Sequence, residues 1–171
     1  YLSSVGRGST LLLNIPPDQR GLFHEKDIES LKGYKKLLET EFAFNIAKKA
    51  RVKTSSIRSN EAIYAGKMIT DGKKDTYWTT DNDLSTGSFE IDLGKTATVK
   101  YIVLQEYIRL GQRVKAFTVD IWKDGTWQKV AGATTIGYKR ILKIDPVNTS
   151  KIRVNINDSK ACPLISNVEI Y

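Results

Sequence analysis

Between two predicted strands the chain sets Glu106-Tyr107-Ile108-Arg109-Leu110-Gly111-Gln112-Arg113 in one short connection. Two guanidiniums, an amide, a carboxylate and a phenol are dense chemistry for a simple link, and binding residues concentrate on loops. Arginine and glutamine offer several donors in fixed geometry. Tyr107, Arg109, Gln112 and Arg113 are therefore candidate ligand-binding residues. Docking of the same loop onto another domain is an equally physical reading. Asp81, in the Asp81-Asn82-Asp83 loop, joins the candidates.

Catalytic constellations are sparse. His24 is the only histidine, so neither a Ser-His-Asp triad nor a multi-histidine metal site has its parts. Glu25, Asp27 and Glu29 fall at a predicted helix start, where acids complement the macrodipole. The single cysteine, Cys162, excludes an internal disulfide and reads as a small buried side chain beside Pro163. Trp127 follows a turn on a predicted strand and reads as packing, as does Trp78, whereas Trp122 is expected to be partly exposed.

The elements that position these residues change character along the chain. Leu11-Leu12-Leu13-Asn14-Ile15, stopped by Pro16-Pro17, reads as a strand covered on both faces, as in a parallel α/β sheet. Ile28, Leu31, Tyr34, Leu37 and Leu38 then recur at helical spacing, with Asp27 or a neighbour as the cap. A second short helix is expected over residues 40–49. From Val52 the period becomes two. Phe89–Leu93 closed by Gly94, Phe117–Trp122, Trp127–Val130, Ile152–Ile156 and Val168–Tyr171 alternate, and Lys123-Asp124-Gly125-Thr126 carries a hairpin signal. About eight short strands predict a mainly β chain, an antiparallel β-sandwich.

A length of 171 residues accommodates one domain plus a fragment. The formal charge of +8 raises nucleic acid as a partner, but the basic residues are interleaved with acids. The densest basic run, Lys48-Lys49-Ala50-Arg51-Val52-Lys53, lies at a predicted helix end, and no nucleic-acid motif accompanies it. No apolar run approaches the length of a membrane-spanning helix.

The Ser4–Asp18 stretch resembles the last barrel strand of the α-L-fucosidases of glycoside hydrolase family 29. A second resemblance rests on Asp71-Gly72-Lys73-Lys74-Asp75-Thr76-Tyr77-Trp78 and Phe89-Glu90-Ile91-Asp92-Leu93-Gly94. It continues through Gly111-Gln112-Arg113-Val114, Gly137-Tyr138-Lys139-Arg140, Lys151-Ile152-Arg153-Val154 and Ile165-Ser166-Asn167-Val168-Glu169-Ile170-Tyr171. This pattern is similar to the discoidin fold (coagulation factor 5/8 type C), shared by many family 32 carbohydrate-binding modules. The two together imply a jelly-roll sandwich over 51–171, preceded over 1–50 by a strand-plus-helix piece of a (β/α)8 barrel.

The resemblance implies the C-terminal carbohydrate-binding or accessory region of a secreted, extracellular or periplasmic, retaining α-L-fucosidase acting on terminal fucose. Its partners would be a fucosylated or galactose-containing glycan and the catalytic domain. The catalytic Asp and Glu of that family match no residue here. The same fold admits two alternatives: a purely structural module buttressing the barrel, or a phospholipid-binding domain with Tyr107, Ile108 and Leu110 as spikes. Relatives of this fold hold a structural Ca²⁺, which would fall on Met68 O, the Asp71 side chain, Lys73 O, Thr76, Ser166 O and the Asn167 side chain. Where related modules often have Glu, this chain has Asn167. Without barrel neighbours, the Leu11–Ile15 strand is expected to pack on the Ile28–Leu38 helix or to pair with the sandwich or another chain.

Overall fold

The computed structural model describes every residue from Tyr1 to Tyr171. One helix, α1 (Glu25–Glu41), precedes seven strands: β1 (Arg51–Thr54), β2 (Trp78–Thr79), β3 (Gly87–Glu106), β4 (Val114–Lys123), β5 (Thr126–Ala133), β6 (Arg140–Ser159) and β7 (Leu164–Ile170). All pairings are antiparallel, as the alternating pattern predicts. Asp124 and Gly125, at φ 52° and 77°, make the tight turn between β4 and β5.

The strands are fewer and longer than the sequence suggests, because Gly94 bends β3 instead of closing it. Its φ is 75°, and the ladder to β6 breaks between Asp92 and Ala97. The two halves of β3 and β6 therefore serve two layers. Residues 87–92 of β3 and 151–156 of β6 lie between β1 on one side and β4–β5 on the other. Residues 97–106 of β3 and 140–149 of β6 join β7 and β2.

Between the layers lies one apolar core. Phe89, Ile91, Phe117, Val119, Ile152 and Val154 from the first layer meet Ile102, Leu104, Leu142, Val168 and Ile170 from the second. Trp78 is wholly buried in it, its ring edge-on to Phe89 and its Nε1–H donated to Ser56 O at 2.9 Å. Trp127 packs edge-on to the part-exposed Trp122, with the Arg153 guanidinium carbon 4.0 Å from the Trp127 ring centroid.

The N-terminal segment docks on the outer face of the second layer. Tyr101, Val103 and Ile141 point outward there and are covered by Tyr1, Leu2, Phe42 and Tyr171. Phe42 sits 4.9 Å from the Tyr101 ring and 5.1 Å from the Tyr171 ring. Helix α1 begins at His24, whose Nδ1 accepts the Lys26 N–H, so the cap is a neighbour of Asp27. The second helix expected over 40–49 does not form. Instead Asn45 and Ile46 bond to Ile170, and Ala47 is buried in the main core.

The strand expected at Leu11–Ile15 does not form either. No backbone hydrogen bond engages residues 10–17, and Leu12 is 90% exposed. A strand needs a ladder partner, and this run has none within the chain. The expected pairing with the sandwich is thus absent.

Burial raises the phenol pKa values of Tyr1, Tyr101 and Tyr171, with Tyr34 adding repulsion at the first, Glu41 at the second and Glu169 at the third. Their folded pKa values exceed the unfolded value of about 10, so the folded chain holds protons that the unfolded chain loses above that pH. This stabilisation is complete below pH 10 and fades as pH climbs through the folded values. We expect a lower melting temperature at pH 11 than at pH 9, with a smaller drop in Tyr171→Phe. Calorimetry showing equal melting at both pH values would contradict the assignment.

Candidate functional site

Four connections meet at one end of the sandwich: residues 57–64, 79–83, 107–113 and 160–163. Glu106, the last residue of β3, ties two strand starts to it. Its carboxylate is 3% exposed and belongs to no ion pair. Oε1 accepts the N–H groups of Arg113 and Val114 at 2.7 and 2.9 Å, and Oε2 accepts that of Gly137 at 2.6 Å. Three backbone donors satisfy a buried charge without a cation.

Arg113, positioned by that bond, donates from Nη1 to Cys162 O at 3.0 Å and Cys162 Sγ at 2.9 Å. Arg58 reaches the same sulfur from another connection. Its Nη2 lies 2.9 Å from Sγ and 3.3 Å from Thr79 Oγ1. Asn82 Oδ1 accepts from the thiol at 3.9 Å, and Asp81 Oδ1 accepts the Ser59 N–H at 2.8 Å.

Three tyrosines continue the cluster. The Arg58 guanidinium carbon lies 5.2 Å from the Tyr64 ring centroid, Tyr64 lies 5.5 Å from Tyr77, and Tyr77 stacks on Tyr107 at 4.6 Å. Burial, then repulsion from Tyr64, raises the Tyr77 phenol pKa. Beside Tyr107, Ile108 and Leu110 are 40% and 50% exposed.

The sequence candidates divide on this geometry. Tyr107, Arg113 and Asp81 join the cluster. Arg109 instead pairs with Asp75 at 2.9 Å, bracing its loop against the Asp71–Thr76 turn, and Gln112 is turned against Gly137. Sequence reasoning missed Arg58, Tyr64 and Tyr77. A signal existed for Arg58, in the polar turn Arg58-Ser59-Asn60, where Ser59 and Asn60 take positive φ. Its contact with Cys162 spans 104 positions, which no local pattern reports.

The Asp71–Thr76 turn gathers oxygen. Thr76 Oγ1 lies 2.9 Å from Asp71 Oδ2, 3.4 Å from Met68 O and 3.5 Å from Lys73 O. A hydroxyl has one proton and cannot satisfy three acceptors, so the group suits a hard cation. Lys73 N–H holds Asp71 Oδ1 at 2.8 Å. Ser166 and Asn167 line a cleft with Lys74 and Asp75. Asn167 Nδ2 donates to Gln105 Oε1 at 2.8 Å and Glu169 Oε1 at 3.0 Å, which leaves its Oδ1 as the atom for an ion.

An antiparallel sandwich that collects aromatic and cationic side chains on its end loops has the discoidin-type architecture. The chain belongs to the F5/8 type C domain family, which matches residues 51–169. Its relatives are α-L-fucosidases. The alpha-L-fucosidase 1 of Arabidopsis thaliana is 30% identical over 175 residues, covering all of this chain and 35% of that protein. The crystal structure of SpGH29 superposes with a TM-score of 0.93 at 41% identity, over all of this chain and 37% of that one. A Ruminococcus gnavus GH29 fucosidase in complex with fucose gives 0.92 at 30%, over all of this chain and 35% of its own. The chain spans about a third of the length of the curated relatives it matches.

Exchanging Glu106 for Gln puts an NH₂ group where a carboxylate oxygen accepts, orphaning at least one backbone donor. We expect a loss of about 2–3 kcal/mol, or on the order of 5–10 °C in melting temperature. An unchanged melting curve for Glu106→Gln would remove Glu106 from this role.

Proposed function

We propose that this chain is the C-terminal accessory region of a secreted, retaining α-L-fucosidase, and that its sandwich binds carbohydrate at the end-loop cluster. The observation that carries the reading is the convergence of Tyr107, Tyr77 and Tyr64 with Arg58 and Arg113, ring surface beside fixed donors. Hydrolysis belongs to the catalytic partner, where two carboxyl groups about 5–5.5 Å apart cleave terminal fucose with retention. Residues 1–50 contribute to that barrel, and 51–171 form the module.

A buttressing role is favoured by a separate observation. Leu12, Leu13, Leu22, Phe23, Leu37 and Phe44 are each more than half exposed on the N-terminal segment. Such apolar surface is the expected contact for barrel strands and helices. The two roles use different faces and coexist.

Saturable binding of galactose- or fucose-terminated glycans by the chain is expected in calorimetry, weakened about tenfold or more by Tyr107→Ala and by Arg113→Ala, which corresponds to about 1.4 kcal/mol. Silence across both glycan classes would leave only the buttress.

We also propose a structural Ca²⁺ held by Met68 O, Asp71, Lys73 O, Thr76, Ser166 O and Asn167. Asp71 is its one carboxylate, and Lys67 and Lys73 stand near it, so binding is weak. Saturating Ca²⁺ should raise the melting temperature by about 5–10 °C over chelator, since occupancy at 100 Kd adds about 2.7 kcal/mol. Asp71→Ala should abolish that difference. Identical melting of the parent chain with Ca²⁺ and with chelator would count against the site.

A further inference from the structure

The two arginines at the loop end have an unusual arrangement. Arg58 Nη2 and Arg113 Nη1 each lie 2.9 Å from the same sulfur, so the two guanidiniums are at most about 6 Å apart. Neither takes part in any of the molecule's ion pairs. Their protein acceptors are the Cys162 sulfur, the Cys162 carbonyl and the Thr79 hydroxyl, none of them a carboxylate. Sulfur is a weak acceptor. Arg58 Nε is buried with no partner at all.

No carboxylate forms an ion pair with either guanidinium. Glu106 accepts three backbone N–H groups, and Asp81 Oδ1 accepts the Ser59 N–H. Part-buried guanidiniums are ordinarily paired with an anion. Here no carboxylate of the chain pairs with them, while the donors are held in place, Arg113 by Cys162 and Arg58 over the Tyr64 ring.

We infer that Arg58 and Arg113 form the anion half of a binding site for an acidic sugar, one carrying a carboxylate or a sulfate ester, with the tyrosine row alongside it. Guanidinium forks match the paired oxygens of either group. This deepens the carbohydrate-binding reading and rests on it: it names the ligand's charge as the selecting feature. A neutral hexose would leave two cations unpaired in its own site.

The test titrates the chain with D-galactose, D-galacturonic acid, galactose 6-sulfate and inorganic sulfate. Galacturonic acid or galactose 6-sulfate should bind at least tenfold more tightly than galactose, and comparison of the two tells carboxylate from sulfate. That preference should shrink as salt rises, and Arg58→Gln and Arg113→Gln should each reduce it. Because Arg113 also anchors Cys162, Arg58→Gln serves as the second variant should Arg113→Gln fail to fold. Equal affinity for galactose and galacturonic acid would overturn the inference while leaving carbohydrate binding intact. No binding of any sugar would overturn both. Inorganic sulfate as tight as the sulfated sugar, or binding only to phosphatidylserine vesicles, would overturn the sugar acid as the ligand.

Discussion

A single buried carboxylate organises the functional end of this fold. Glu106 ends β3, and its three backbone acceptor bonds fix where β4 starts and where Gly137 leads into β6. Arg113, whose N–H is held by Glu106, reaches Cys162 with its guanidinium. The Glu106 carboxylate is satisfied by peptide dipoles rather than by a cation, and both arginines of the loop end stand without a carboxylate partner. Structural stability and an unspent positive charge therefore come from the same arrangement.

The bent strands explain how so small a sandwich builds that end. β3 and β6 each run through both layers, so continuous backbone joins the two. The kink at Gly94 lies far from the loop end in sequence, yet it sets the direction of residues 97–106 and hence of Glu106. On the other face of the second layer, Tyr101 and Ile141 are covered by Tyr1, Leu2 and Phe42. The N-terminal segment is thus packed onto the sandwich, not merely tethered to it.

Local patterns reported local structure well. Alternation predicted the inward set Phe89, Ile91, Phe117, Val119, Ile152 and Val154, and Asp124-Gly125 predicted its hairpin. The Asp71-Gly72 turn lies within a few residues, and there Asp71 holds the Lys73 N–H and the Thr76 hydroxyl. What failed was long-range. Gly94 reads as a stop and acts as a bend, because the ladder resumes beyond it, from the Ala97–Thr149 pair to the Leu104–Arg140 pair, on a strand distant in sequence. Leu11–Ile15 carries a strand's composition without a partner, and hydrophobicity alone cannot close a ladder. Residues 42–49 have helical propensity, but Asn45 and Ile46 gain more by capping Ile170. The Arg58–Cys162–Arg113 junction joins three distant segments, so Cys162 read correctly as buried while its role in holding two guanidiniums was invisible.

The distribution of charge gives the loop end its meaning. Across the open face of the first layer, the register lines up Lys53, Glu90, Arg153, Asp120 and Lys129 on neighbouring strands, signs alternating at each step. Arg153 bonds Glu90 at 2.7 Å and also covers Trp127. On that face Arg153 pairs with Glu90 across the strands, and Lys53 and Lys129 stand in register opposite Glu90 and Asp120, as cross-strand pairing favours. The formal charge of +8 is therefore a poor guide to partners when read as a total. What counts is where positive charge is both ordered and unanswered. Arg109, an exposed residue of the 107–113 loop, is answered by Asp75. Arg58 and Arg113 are ordered by Thr79, Tyr64 and Cys162 and paired with no carboxylate. A ligand that brings its own negative charge completes what the sheet face completes internally.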